Sequence, residues 1–178
     1  MIRGELYRPD DKQLLKERAF AHLKAQDFNR ADTDKERRAI IKQLFGTAGV
    51  NVTIEPTFRV DYGYNIHVGE DFFANFNCVF LDVCPIKIGK NAMLGPGVSL
   101  MTPEHPLKAE ERNSGYEFGR PITIGDNCWI GANATIVGGV TLGDNVVVAA
   151  GAVVNKSFTD NVVIGGVPAR IIKTINND

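Results

Sequence analysis

The chain has 178 residues, 44% of them hydrophobic and 23% charged, the make-up of one ordinary globular domain. Its 20 Lys and Arg against 21 Asp and Glu leave a net charge of -1, which argues against a nucleic-acid or membrane-surface partner. No apolar run approaches the ~20 residues of a membrane span, and the polar start MIRGELYRPDDKQ has no signal-peptide core, so a cytoplasmic protein is expected.

Residues 10–28 read as an amphipathic helix. Pro9 precedes it, Asp10 or Asp11 can cap it, and Leu14, Leu15, Ala19 and Leu23 form a partial apolar face. A second helix fits 34–45. Thr33 and Glu36 match a capping box, Ile40, Ile41, Leu44 and Phe45 supply an apolar side, and Gly46 suits the stop. Neither helix carries obvious chemistry, and both are expected to pack on the main body. Residues 1–49 thus form a helical N-terminal segment, and 50–178 form the main domain with a C-terminal tail.

Beyond Gly46 the texture changes to β-branched residues, Gly and Asn. Stepping by six from Ile124 meets Ile130, Ile136, Leu142, Val148 and Val154, all aliphatic. Upstream the same step meets Ile88, Leu94 and Leu100, and before them Val68, Ala74 and Phe80, with a two-residue shift at Cys84–Pro85. Two places ahead of the beats stand Ile122, Cys128, Ala134, Val140, Val146 and Ala152, again small or apolar. A period of six fits neither an amphipathic helix nor a hairpin sheet. It fits a parallel β-helix of hexapeptide turns. Side chains alternate along a strand, so each hexad points two inward and the one between them outward. Three hexads close a coil, residue i stacks on i+18, and about four to five coils at ~4.8 Å each fit between 62 and 166. Gly125, Gly131 and Gly143, with Asn127, Asn133 and Asn145, fall at corners, where unusual backbone angles are needed.

The outward positions are Thr123, Trp129, Thr135, Thr141, Val147 and Val153. A lone exposed tryptophan marks either a subunit interface or a ligand platform, and the two valines point to a covered face, hence an oligomer. His67 also faces outward; it and His22 read as surface histidines. The three cysteines, Cys78, Cys84 and Cys128, form no C-x-x-C pair and read as reduced thiols. Cys78 and Cys84 fall on neighbouring faces, so no disulfide between them is expected.

The rhythm breaks from about 103 to 120, PEHPLKAEERNSGYEFGR. This is longer than most connections, which makes it a functional-loop candidate. His105, one of three histidines, stands where the loop leaves the rigid coil. The histidines lie in three different settings, so a metal site is not expected. There is no phosphate-binding glycine loop and no G-x-S-x-G elbow.

GELY, DYGYNIHVG, FNCVFLD, HPL, PITIGDNCWIGANATIVGGVTLGDN and GGVPAR together resemble the maltose/galactoside O-acetyltransferase family over nearly the whole chain. The resemblance implies a left-handed parallel β-helix with a short helical N-terminal segment and a loop insertion near 103–120. It also implies a homotrimer with active sites between subunits, and acetyl transfer from acetyl-CoA directly to a sugar hydroxyl without a metal. On this match His105 is the general base, a role suited to an imidazole near neutral pH. Asp61, Asn75, Asp82 and Glu117 would contact the acceptor. Trp129, Ala132, Ala150, Asn155 and Lys156 would line the pantetheine groove, and Arg170 and Lys173 would face the CoA phosphates. The chain departs from relatives at Val83, where some have a second acid, at Asn155-Lys156-Ser157, where many have Thr-Lys-Asp, and at Lys173, where many have Arg. Two alternatives remain beside this reading: a non-sugar acceptor such as an antibiotic, and a non-catalytic β-helix acting as a binding module.

Overall fold

The computed structural model describes residues 1–176. The chain opens with α1 (Lys12–Arg30), capped by the Asp11 carboxylate, which accepts from the amides of Gln13 and Leu14. Helix α2 (Asp34–Leu44) carries the full capping box between Thr33 and Glu36. The buried side of α1 is Ala21, Ala25 and Phe28. Leu15 and Leu23, expected to be part of the apolar face, are exposed. The small Ala21 and Ala25 let α1 approach closely, and the aromatic Phe28 does the filling. Phe28 and Phe45 meet Phe58 at 6.1 and 5.8 Å between ring centroids, and Phe58 meets Phe80 edge-on at 5.1 Å. The helices therefore close one end of the main core.

The rest is a parallel β-helix with three faces. The first face stacks Thr47–Ala48, Ile66–Val68, Ile86–Ile88, Ile122–Ile124 and Thr141–Leu142. The second stacks Thr53–Ile54, Phe73–Ala74, Met93–Leu94, Trp129–Ile130, Val147–Val148 and Val162–Gly165, with Arg170–Thr174 added antiparallel at its edge. The third stacks Arg59–Val60, Val79–Leu81, Ser99–Met101, Thr135–Val137 and Val153–Val154. Four complete coils and a partial one lie between residues 62 and 166, within the four to five expected there; one further coil, Thr47 to Val60, precedes them and begins inside the segment expected to be helical. The inward residues read from the six-step walks are buried, from Val68 through Leu100 to Val154.

The spacing of 18 holds between Thr123 and Thr141, but earlier coils step by 20, as in His67 on Lys87, and the last steps by 16, Val147 on Val163. The two extra residues sit at the third corner, between third and first faces, at 61–65 and again at 82–85. Here Asp82, wholly buried, accepts from the amides of Asp61 and Tyr62 at 3.1 and 2.8 Å and from Asn65 at 3.3 Å, while Asn65 Nδ2 donates to the Asp82 carbonyl at 2.7 Å. The wider corner at 61–65 wraps this carboxylate. The loop leaves from the same corner one coil further on, and Ser99 pairs with Thr135 across it, a step of 36.

Candidate active site

The loop is pinned at its root. The Thr102 hydroxyl donates to the Leu81 carbonyl at 2.7 Å and accepts from the Cys84 amide at 3.0 Å. Pro103–Glu104 then pairs antiparallel with Phe118–Gly119, so the chain leaves and returns as a short ribbon. A short helix, α3 (Ala109–Asn113), forms the tip, and Arg112 Nη1 folds it back onto the carbonyls of Pro106 and Leu107 at 3.1 and 3.0 Å. His105 follows the outgoing strand directly, next to buried Pro106, with its ring 55% exposed. Its Nε2 lies 3.9 Å from Glu117 Oε2 on the returning side. The rigid root expected for His105 is present.

The third corner and its loop hold five more of the expected residues. Asp61 is half-buried at the mouth of a cavity of about 410 Å³ between α1 and the third face, lined also by His22, Gln26, Asn29 and Arg59. Burial raises its carboxyl above the ordinary range, opposed by the charges of Arg18 and His22. Asn155 and Lys156 are exposed three coils beyond Asp82, with Lys156 Nζ 5.4 Å over the Phe158 ring. Asp82 corrects the sequence expectation. At 0% exposure, with its oxygens on backbone amides, it holds the corner that presents Asp61 and cannot itself touch an acceptor. Burial pushes its carboxyl up to about 6, against the pull of the amides. Glu117 is engaged by the Tyr7 hydroxyl, so it stands behind His105 rather than open to solvent. Tyr7 was missed as a site residue; its only trace in the sequence is its place in GELY.

The other expected residues lie elsewhere, on the second face and the corner that follows it. Trp129 points outward at 53% exposure in a column with Phe73, Met93, Val147 and Val163. Ala132 and Ala150 sit one above the other at the corner, joined by the Gly151 amide donating to the Ala132 carbonyl at 2.8 Å. Asn75 occupies the same corner two coils earlier, its side-chain oxygen accepting from the Phe76 amide at 2.8 Å. Arg170 and Lys173, both exposed, lie on the antiparallel edge strand. Within one chain the expected site thus divides between two corners of the prism: His105, Asp61, Glu117, Asn155 and Lys156 at one, and Asn75, Trp129, Ala132, Ala150, Arg170 and Lys173 at the other. Among the described residues no group of three or more His, Cys, Asp or Glu is placed to hold a metal ion. The three cysteines are buried and form no disulfide.

Residues 1–49 match the maltose acetyltransferase hexapeptide capping motif, and 121–156 match the hexapeptide repeat of succinyl-transferase. Coils, cap and loop-borne histidine together define a hexapeptide-repeat acetyltransferase. The fold superposes on a maltose O-acetyltransferase from Clostridium difficile 630 with a TM-score of 0.98, at 48% identity over 99% of this chain and 95% of that one. It superposes on a galactoside acetyltransferase in complex with coenzyme A with a TM-score of 0.95, at 40% identity over 99% of this chain and 90% of that one. The galactoside O-acetyltransferase of Escherichia coli K12 is 39% identical over 98% of this chain and 87% of its own length. The chain belongs to the maltose/galactoside O-acetyltransferase family.

Proposed function

We propose that this protein transfers the acetyl group of acetyl-CoA to a hydroxyl of a maltose-, glucose- or galactoside-type sugar, with His105 as general base. The observation that carries this reading is the exposed His105 imidazole on a loop root fixed from both sides. The acceptor oxygen attacks the thioester carbonyl while the imidazole takes its proton. The tetrahedral intermediate collapses, the carbon–sulfur bond breaks, and the proton passes to the leaving thiolate. Transfer is direct, within a ternary complex, so no enzyme nucleophile is used.

The division of the site between two corners supports a homotrimer. Three prisms around a threefold axis would set the His105 corner of one chain against the Trp129 face of the next. Trp129, Ala132 and Ala150 then line the pantetheine arm, with Asn155 and Lys156 across from them. Arg170 and Lys173 meet the anionic nucleotide end, Lys173 as a point charge without the bidentate fork of an arginine. Asp61 and Asn75 hold sugar hydroxyls. Three buried thiols with no disulfide suit a reducing cytoplasm.

An acetyl-CoA assay reading free thiol against a panel of sugars tests the function. Turnover with at least one sugar is expected, and thiol release with no sugar, coupled with no CoA binding, would overturn the reading. His105→Ala should lower kcat by about 10²–10⁴-fold with the fold intact. Near-normal turnover in that variant would remove the general-base role.

A further inference from the structure

The N-terminal segment reaches the loop that carries His105. Tyr7 and Glu117 exchange two backbone hydrogen bonds: the Tyr7 amide donates to the Glu117 carbonyl at 2.9 Å, and the Glu117 amide donates to the Tyr7 carbonyl at 3.1 Å. Arg8 strengthens this clasp, with Nη1 3.3 Å from the Ser114 carbonyl and the guanidinium 5.3 Å from the Tyr116 ring centroid. Inside the clasp the Tyr7 hydroxyl donates to Glu117 Oε1. The second oxygen, Oε2, faces His105 Nε2 at 3.9 Å, just beyond the reach of a formed hydrogen bond. The Glu117 side chain is only 14% exposed, against 55% for His105, so the carboxylate is shielded and the ring is open.

We propose that Tyr7 and Glu117 are positioning residues for His105: the tyrosine hydroxyl holds the carboxylate toward Nε2, which keeps the neutral ring's proton there and leaves Nδ1 free to take the proton of the acceptor hydroxyl. This rests on the reading of His105 as general base. The ring becomes a cation as Nδ1 is protonated, and Glu117 is the anion beside it, the arrangement by which an acid orients a base in other acyl transfers. Burial raises the Tyr7 hydroxyl far above its ordinary range, so it remains a donor through neutral pH. The acidic groups closest in effect to this cluster are Asp61 and Tyr62. Glu104 on the outgoing strand is instead engaged by Arg120 at 3.5 Å.

Tyr7→Phe keeps the ring and both backbone bonds and removes only the hydroxyl. With acetyl-CoA and an accepted sugar, Glu117→Gln should lower kcat on the order of 10²-fold and Tyr7→Phe about tenfold, with the acetyl-CoA KM within about twofold. Because Tyr7 acts through Glu117, the double variant should be no slower than Glu117→Gln alone. Imidazole ¹⁵N shifts provide a second readout, since the chain has only three histidines and His105→Ala assigns the signal. At alkaline pH, where imidazoles are neutral, the wild-type ring should carry its proton on Nε2, and both single variants should shift toward a tautomer mixture. Wild-type kcat in Tyr7→Phe, additive losses in the double variant, or a slower Tyr7→Phe enzyme with an unmoved tautomer would each overturn the proposal. Turnover retained in His105→Ala would instead overturn the general-base reading beneath it.

Discussion

Asp82 and His105 are both polar residues beside breaks in the hexad rhythm, yet one is a buried brace and the other an exposed reagent. The sequence marks His105 through its setting, HPL at the start of a loop. It does not separate Asp82 from a ligand contact, because burial is decided by residues 61–65 folding over it from the previous coil. Its carboxyl stands at about 6 in the folded chain, above the unfolded value near 3.8. The folded state therefore binds the extra proton, and Asp82's contribution to stability is greatest below about pH 4 and declines as pH rises to about 6. The size of that decline is roughly 2–3 kcal/mol. Asp82→Asn loses acceptor oxygen but does not titrate. The gap in melting temperature between wild type and this variant should accordingly narrow from pH 4 to pH 7 at fixed protein concentration.

Corners distinguish two residue types that the sequence groups together. Asn127, Asn133 and Asn145 adopt positive φ of 57°, 57° and 54°, the conformation that asparagine tolerates. Gly131 is there for a different reason: a Cβ would lie 2.6 Å from the Ala150 amide nitrogen and 2.7 Å from the Val148 carbonyl oxygen of the next coil. Gly151 has positive φ, 71°, and open space around it. Gly131→Ala should therefore destabilise by about 1–3 kcal/mol through overpacking, while Gly151→Ala should cost about 1 kcal/mol of backbone strain. Thermal melts of the two variants at equal concentration compare them. The helices teach a similar lesson. Their existence and the α2 cap were legible from Thr33, Glu36 and Gly46, but the buried side of α1 was not, because two alanines and one phenylalanine give a weaker apolar signal than the leucines that remain exposed.

At the scale of the whole molecule, the division of the site between two corners makes a test that one chain cannot satisfy. His105→Ala alone and Trp129→Ala alone should each be impaired. Trimers reassembled from a mixture of the two should regain activity, because some interfaces would pair an intact His105 with an intact Trp129. Light scattering should give three times the 19.5 kDa of one chain. No recovery in verified mixed trimers would mean that both residues act within one chain.

Periodicity alone determined the coil, its inward residues and the place where the rhythm breaks, since each depends on side chains alternating along short strands. The resemblance of short motifs determined the family, and with it the expected base and donor groove. Only the tertiary structure decided that Asp82 is enclosed, that Tyr7 reaches across to Glu117, and that the expected site residues lie at separate corners. These depend on contacts between segments up to 110 positions apart, as between Tyr7 and Glu117, and no local pattern in the chain encodes which distant residue will arrive beside which.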